Sequence, residues 1–114
     1  MKTKVSYLSE ALDFLLEIDN AAAKKLAYNI RKFSEGLVDT KIFKKLKGTD
    51  IWEFRALHGG NCYRLLAFWD TRTETLVVAT HGFVKKTPKT PQKEIDKAEA
   101  IRNEYFKSVN NPTL

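Results

Sequence analysis

Apolar and polar residues alternate along three consecutive stretches in the middle of the chain, residues 51–57, 62–69 and 75–86. Each stretch is rich in β-branched and aromatic residues, and turn formers such as Gly59-Gly60 separate them. This combination is typical of strands joined by hairpins. Because side chains alternate across a strand, the parity of each position predicts its face. The pattern therefore predicts a three-stranded antiparallel meander.

The chain before the meander has the periodicity of helices. Residues 5–8 predict a short edge strand, and residues 9–18 and 21–34 carry apolar positions every three or four residues. The expected cap residues of these two helices are Ser9 and Asn20 at the starts and Gly36 at the end of the second. The two helices predict an amphipathic hairpin that covers one face of the sheet.

Two further segments flank the meander. Residues 39–48 form a basic connector, which is either a solvated loop pinned by Phe43 and Leu46 or a rim that contacts phosphates. After the third strand, Thr90 as N-cap and Pro91 at the first helical position predict a terminal helix. The order of elements indicates a single α+β domain over residues 1–114, with a small antiparallel sheet, a helical hairpin on one face and a C-terminal helix.

Composition limits the partners and the chemistry. The chain has 114 residues, is 43% hydrophobic and carries a formal charge of +6, which favours a polyanionic partner such as nucleic acid, a membrane surface or an acidic protein. One cysteine excludes an intramolecular disulfide, and two distant histidines do not favour zinc, so no cofactor is predicted. No leader or membrane-length apolar run is present in the sequence, so we expect a cytoplasmic protein without membrane contact.

Cationic side chains interrupt the apolar strands. If the strands form a meander, the parity of Arg55, Arg64 and His81, together with Lys85 or Lys86, places them on one face. An arginine in the middle of an apolar strand is costly unless it meets solvent, a carboxylate or an anion. This cationic set is the feature of the sequence that calls for a functional explanation.

Several ordered motifs resemble those of a known family. Between residues 42 and 105 the chain contains Phe43-Lys44-Lys45-Leu46-Lys47-Gly48, Ile51-Trp52-Glu53-Phe54-Arg55, Tyr63-Arg64-Leu65-Leu66, a basic run from His81 to Pro91, and Glu94-Ile95-Asp96-Lys97-Ala98. In this order and spacing they resemble the RelE/ParE toxin superfamily, in its phage-derived HigB-like branch. Phe54 and Ile51 stand where leucine is usual in that branch.

The resemblance implies a function. It implies a toxin of a type II toxin–antitoxin pair that cleaves mRNA on the translating ribosome without a metal, and a cognate antitoxin of the helix-turn-helix type. Two alternatives stay open on the same scaffold: a ParE-like protein that binds a topoisomerase, and an inactive module that binds RNA or the antitoxin.

The resemblance also implies roles for the cations. Arg64 matches the family's phosphate-binding arginine, and Arg55 is the second candidate, since a guanidinium can grip two phosphate oxygens. Lys85 and Lys86 are candidates for holding the phosphate or transferring a proton, and His81 for general base. Each has a structural alternative: Arg64 paired with Glu53 across the hairpin, gatekeeper lysines at a strand end, and a partly buried strand histidine.

A wider set of residues is predicted to bind RNA. Phe83 could stack on a base or simply belong to the core. The remaining members are lysines that flank the proposed face: Lys44, Lys45, Lys47 and Lys89. Such lysines neutralise phosphates without reading sequence, so no codon preference follows from them.

Overall fold

A computed structural model describes residues 3–72, 76–86 and 89–110 of the chain. Over these residues the elements are β1 Lys4–Tyr7, α1 Ser9–Glu17, α2 Asn20–Ser34, β2 Phe43–Lys45, β3 Trp52–His58, β4 Asn61–Asp70, β5 Leu76–Lys85 and α3 Gln92–Asn110. Residues 73–75, between the second and third strands of the meander, residues 87–88, between the third strand and the terminal helix, and residues 111–114 lie outside the described part.

The strands form one five-stranded sheet in the order β1-β5-β4-β3-β2. The predicted meander is confirmed, because β3, β4 and β5 pair antiparallel in sequence order. The edge strand β1 pairs parallel with β5, so the sheet is mixed rather than purely antiparallel. With the helical hairpin on one side and α3 on the other, the fold has the predicted α+β architecture.

The basic connector contains a strand that the sequence did not predict. Strand β2 pairs antiparallel with β3, with Phe43 opposite Phe54 and Lys44 opposite Glu53. Phe43 is buried and stacks on Trp52 at a centroid distance of 4.9 Å. The connector is therefore an edge strand that presents Lys44 beside β3.

Both helix starts differ by one residue from the prediction. The N-cap position of α1 is Leu8, which makes no side-chain capping bond, so the assignment of Ser9 was wrong. The N-cap of α2 is Asp19 rather than Asn20, and its carboxylate accepts a hydrogen bond of 3.3 Å from the Ala22 amide. A side-chain oxygen that reaches a first-turn amide is what an N-cap requires.

The predicted end of α2 at Gly36 is confirmed. Gly36 has a φ of 109°, which glycine adopts without steric cost. Its amide donates to the Phe33 carbonyl, and the Leu37 amide donates to the Lys32 carbonyl. This pair of bonds is a Schellman motif, which satisfies the last carbonyls of the helix.

The sheet has a buried core on each face. The face covered by α1 and α2, called the hairpin face, buries Leu26, Ile30, Phe54, Ala56, Leu65, Ala67, Val77 and Ala79 among others. The opposite face, called the α3 face, buries Ile51, Leu66, Phe68, Val78 and Ala98. None of the helices in the described part of the chain combines the length and hydrophobicity of a membrane span.

A β-bulge changes which residues of β5 lie on the α3 face. The register pairs Leu66 with His81 but Ala67 with Ala79, so Thr80 is the extra residue. A bulge of this kind reverses the parity of the residues beyond it. The residues of β5 that share the α3 face after the bulge are therefore His81, Phe83 and Lys85.

Candidate functional site

A cleft of about 700 Å³ lies on the α3 face, between the β2–β3 edge of the sheet and the start of α3. Five cationic side chains from four parts of the chain line it: Lys44, Lys47, Arg55, Lys85 and Lys89. Glu53 is the acidic residue that lines it, together with Thr90, Pro91 and Gln92 at the beginning of α3. The cleft thus combines an excess of positive charge with the N-terminal end of a helix, and both attract anions.

Strand register sets this arrangement. Arg55 lies directly opposite Arg64 in the β3–β4 pair, and Arg64 lies opposite Phe83 in the β4–β5 pair. Lys85 lies two residues beyond Phe83 on the same face, opposite Cys62. Neighbouring positions on one face of an antiparallel pair have Cβ atoms about 5 Å apart. The predicted convergence of the strand cations on one face is therefore present in the fold.

Glu53 joins two walls of the cleft. Its Oε1 lies 3.3 Å from Arg55 Nε, and its Oε2 accepts a hydrogen bond of 2.7 Å from the Thr90 hydroxyl. The Glu53 side chain is 3% exposed, whereas that of Arg55 is 25% exposed. The carboxylate is thus buried beneath the cleft surface, while its arginine partner reaches solvent.

Arg64 lies below the cleft. It is 0% exposed, and its Nη1 donates a hydrogen bond of 2.9 Å to the Thr90 hydroxyl. Its Nε lies 3.3 Å from Cys62 Sγ, and its guanidinium carbon is 6.0 Å from the centre of the Phe83 ring. The link between Arg64 and Glu53 therefore runs through Thr90, rather than through the direct cross-strand pair considered from sequence.

Thr90 has a role that the sequence did not predict. We expected its hydroxyl to cap α3, but this hydroxyl instead accepts from Arg64 and donates to Glu53. At the start of the helix, the Glu94 amide donates a hydrogen bond of 3.0 Å to the Pro91 carbonyl. The 37 residues that separate Thr90 from Glu53 explain why no local sequence pattern indicated this contact.

Two of the predicted lysines are not among the residues that line the cleft. Lys45 pairs with Trp52, so it follows the hairpin-face parity of β2. Lys86 is exposed just beyond the end of β5, with the opposite parity to Lys85. Phe83 also lies outside the lining, since its ring packs against the α3-side core. The structure brings together the other predicted lysines and Arg55.

His81 lies on the α3 face but in a different pocket. Its Nε2 is 3.0 Å from Glu94 Oε1, and its Nδ1 is 3.1 Å from the Thr80 hydroxyl. The residue is 4% exposed, and burial lowers its pKa, although its hydrogen bond to the Glu94 carboxylate opposes this shift. It neighbours the acidic side chains of α1 rather than the cationic cleft. Among the described residues, no three His, Cys, Asp or Glu side chains come together as metal ligands.

Comparison with known proteins identifies the fold and the family of this chain. A solved structure of E. coli toxin RelE, a double arginine-to-alanine mutant in the free state, superposes with a TM-score of 0.64 over 90% of this chain and 98% of that chain, at 16% identity. The shared property is the fold. The chain belongs to the family of phage-derived Gp49-like proteins, whose model matches residues 13–103.

The family match confirms the predicted phage-derived branch, and the superposition confirms the predicted RelE-like α+β fold. Sequence comparison with curated proteins gives no significant match.

Proposed function

We propose that this protein is the toxin of a type II toxin–antitoxin pair, a metal-independent endoribonuclease that cleaves mRNA on the translating ribosome and is neutralised by a helix-turn-helix antitoxin. The observation that carries the proposal is the cleft on the α3 face, where five cationic side chains surround one carboxylate that is already paired with Arg55. A pentacoordinate phosphorane gains negative charge as it forms, and fixed cations around it lower the barrier.

The proposed reaction needs few protein groups. The ribose 2′-hydroxyl loses its proton to water as its oxygen attacks the adjacent phosphorus. The bond to the 5′-oxygen breaks and this oxygen takes a proton from the Lys85 ammonium, which water then reprotonates, so the products are a 2′,3′-cyclic phosphate and a 5′-hydroxyl. Arg55 is assigned to the non-bridging oxygens, because its planar fork can bind two of them. Lys85 is assigned to the departing 5′-oxygen. The first turn of α3 adds amides and the positive end of a helix dipole on the same side of the cleft.

We infer dependence on the ribosome from the kinds of residue that line the cleft in the described part of the chain. Lysine and arginine contacts to phosphate bind RNA without selecting a base or fixing the sugar in line with the leaving group. In-line geometry contributes a large share of the rate in such reactions. In the proposal, the ribosome provides the in-line geometry by holding mRNA in a defined conformation, and the protein provides the cations that stabilise the phosphorane.

Adjacent lysines on β2 provide a matched test. Lys44 lines the cleft, whereas its neighbour Lys45 follows the other face. We would induce wild type, Arg55→Ala, Lys44→Ala and Lys45→Ala in cells and map mRNA ends by primer extension. Arg55→Ala should lower cleavage about a hundredfold. Lys44→Ala should lower it measurably, while Lys45→Ala should behave as wild type.

The same experiment separates the alternatives. Growth arrest with intact mRNA and trapped gyrase–DNA complexes would favour the topoisomerase-binding function. A folded wild-type protein that neither arrests growth nor cleaves mRNA would favour an inactive binding module. Equal losses in Lys44→Ala and Lys45→Ala would contradict the assignment of the cleft.

A further inference from the structure

We propose that Glu53 is a positioning residue, which orients the Arg55 guanidinium so that its two amino groups are presented to an RNA phosphate. The inference rests on the proposed function, because it assigns Arg55 to the phosphate. It adds a role for a buried acid in a cleft whose other charged lining residues are all cationic.

The first observation is which guanidinium atom Glu53 contacts. The carboxylate Oε1 lies 3.3 Å from Nε of Arg55, the nitrogen within the side chain rather than one of the two terminal amino groups. In the described part of the chain, no other side chain bonds to the Arg55 guanidinium. An ion pair at Nε restrains the orientation of the guanidinium and leaves the two Nη groups for a bidentate ligand.

The second observation is that Glu53 is itself held. Its Oε2 accepts from the Thr90 hydroxyl at 2.7 Å, and this hydroxyl accepts from buried Arg64 at 2.9 Å. With both oxygens engaged and a side-chain exposure of 3%, the carboxylate has little freedom to rotate. The rigid core strand β4 thus sets the orientation of a partly exposed arginine on β3.

The third observation is electrostatic. Arg55 and Arg64 lie directly opposite each other in the register, and like charges in that position repel. The Glu53 carboxylate, which contacts Arg55 directly and is linked to Arg64 through Thr90, offsets this repulsion. It thereby keeps the Arg55 side chain from turning away into solvent. An amide in place of the carboxylate would keep the shape but not the charge.

A double-mutant cycle tests the role. We would measure ribosome-dependent mRNA cleavage for wild type, Glu53→Gln, Arg55→Ala and the double variant. Glu53→Gln should lower kcat about tenfold or more with KM little changed, because orientation counts in the transition state. The double variant should be no slower than Arg55→Ala alone. Losses that multiply would overturn the inference, since Glu53 would then act independently of Arg55, for example as a general base.

A second readout keeps the inference separate from the nuclease proposal. The Nε–H signal of Arg55 in ¹⁵N NMR, assigned by its absence in Arg55→Lys, should be protected from exchange in wild type and exposed in Glu53→Gln. Thr90→Val removes the hydroxyl that holds Glu53, so it should also reduce the protection of the Arg55 Nε–H. Its melting temperature should be close to that of Glu53→Gln, so that the two variants are compared at similar stability.

An RNA oligonucleotide blocked by 2′-O-methylation serves as the uncleavable probe. It should shift the Arg55 signal in wild type and do so less in Glu53→Gln. If wild type cleaves no mRNA but shows these NMR effects, the nuclease proposal fails while the positioning role stands. An Arg55 signal that is unprotected in wild type, or unaffected by Glu53→Gln, would overturn the positioning role itself.

Discussion

Arg55 and Arg64 occupy directly opposite positions in the β3–β4 pair, but only Arg55 reaches the cleft. Arg64 is fully buried, with contacts to Thr90, Cys62 and the Phe83 ring. Two arginines that look equivalent in the sequence therefore have different surroundings. We expect Arg64 to matter most for the integrity of the cleft and Arg55 for contact with RNA.

Substitution of the two arginines should separate stability from activity. Arg64→Ala should lower the free energy of unfolding by about 3 kcal/mol, because it leaves buried polar partners and a cavity. Arg55→Ala should change it by less than about 1 kcal/mol, since this side chain is partly solvated. Urea denaturation of both variants measures the difference. Equal stability losses would contradict the distinct placement of the two side chains.

Lys85 and Lys86 should differ although they are neighbours. Lys85 lines the cleft and Lys86 does not, so Lys85→Ala should weaken binding of single-stranded RNA and reduce mRNA cleavage by about tenfold or more. The slope of log K for RNA binding against log salt concentration should be smaller in magnitude by about 0.7 in this variant, which corresponds to the loss of one phosphate contact on a single strand. Lys86→Ala is the matched control and should retain both properties. A larger effect from Lys86 would show that the parity of β5 is assigned incorrectly.

The contrast between these lysines shows where sequence reasoning ends. Alternation along β5 places Lys85 and Lys86 on opposite faces, but it does not say which face each takes. The bulge at Thr80 decides this, because it reverses parity between Val78 and Lys85. Gly82 inside β5 is a residue type that can mark a bulge, but it does not give the position of the extra residue, which is Thr80. Pairing with β4 determines it.

Local patterns were sufficient for the architecture and insufficient for the contacts within the cleft. Strand alternation, helical periodicity and Gly36 predicted the element order, the meander and the end of α2. Strand β2 was missed because its three residues are too short to show alternation. The roles of Glu53 and Thr90 were missed because their contact joins β3 to the start of α3, across 37 residues.

Gly82 should not tolerate a side chain. A Cβ at this position would overlap ring atoms of Phe14, which packs from α1 onto β5. Gly82→Ala should lower the free energy of unfolding by about 1 to 3 kcal/mol, the usual cost of overpacking. Urea denaturation measures this loss. In a Phe14→Ala background the same substitution should cost much less, and an equal cost in both backgrounds would show that the ring is not the obstacle.

Tyr105 fastens the end of α3 to the sheet. Its hydroxyl donates a hydrogen bond of 2.7 Å to Asp70, and Arg72 hydrogen bonds hold the pKa of this carboxyl well below its usual range. Tyr105→Phe keeps the ring contacts with Phe68 and Phe106 but removes the hydroxyl. We expect a loss of about 1 to 2 kcal/mol at neutral pH, measured by urea denaturation, since bonds to charged groups are stronger than average.

Tyr28 provides the control for Tyr105. This residue on α2 is 49% exposed, so Tyr28→Phe should leave the unfolding free energy within about 0.5 kcal/mol of wild type. If Tyr105→Phe were equally silent, the hydrogen bond to Asp70 would not stabilise the docked helix.

His81 should make stability depend on pH near neutrality. Burial lowers its pKa in the folded protein, the neighbouring Lys97 acts in the same direction, and Glu94 and Glu10 oppose them. The unfolded chain therefore binds a proton more readily than the folded protein. The stability associated with neutral His81 is complete above the unfolded pKa of about 6.5 and is lost as the pH falls towards the lowered folded value.

Unfolding free energies in urea between pH 5.5 and 7.5 test this expectation. Wild type should lose stability as the pH falls across this range, and His81→Gln should show a flatter profile. A slope that survives in His81→Gln would locate the titrating group elsewhere.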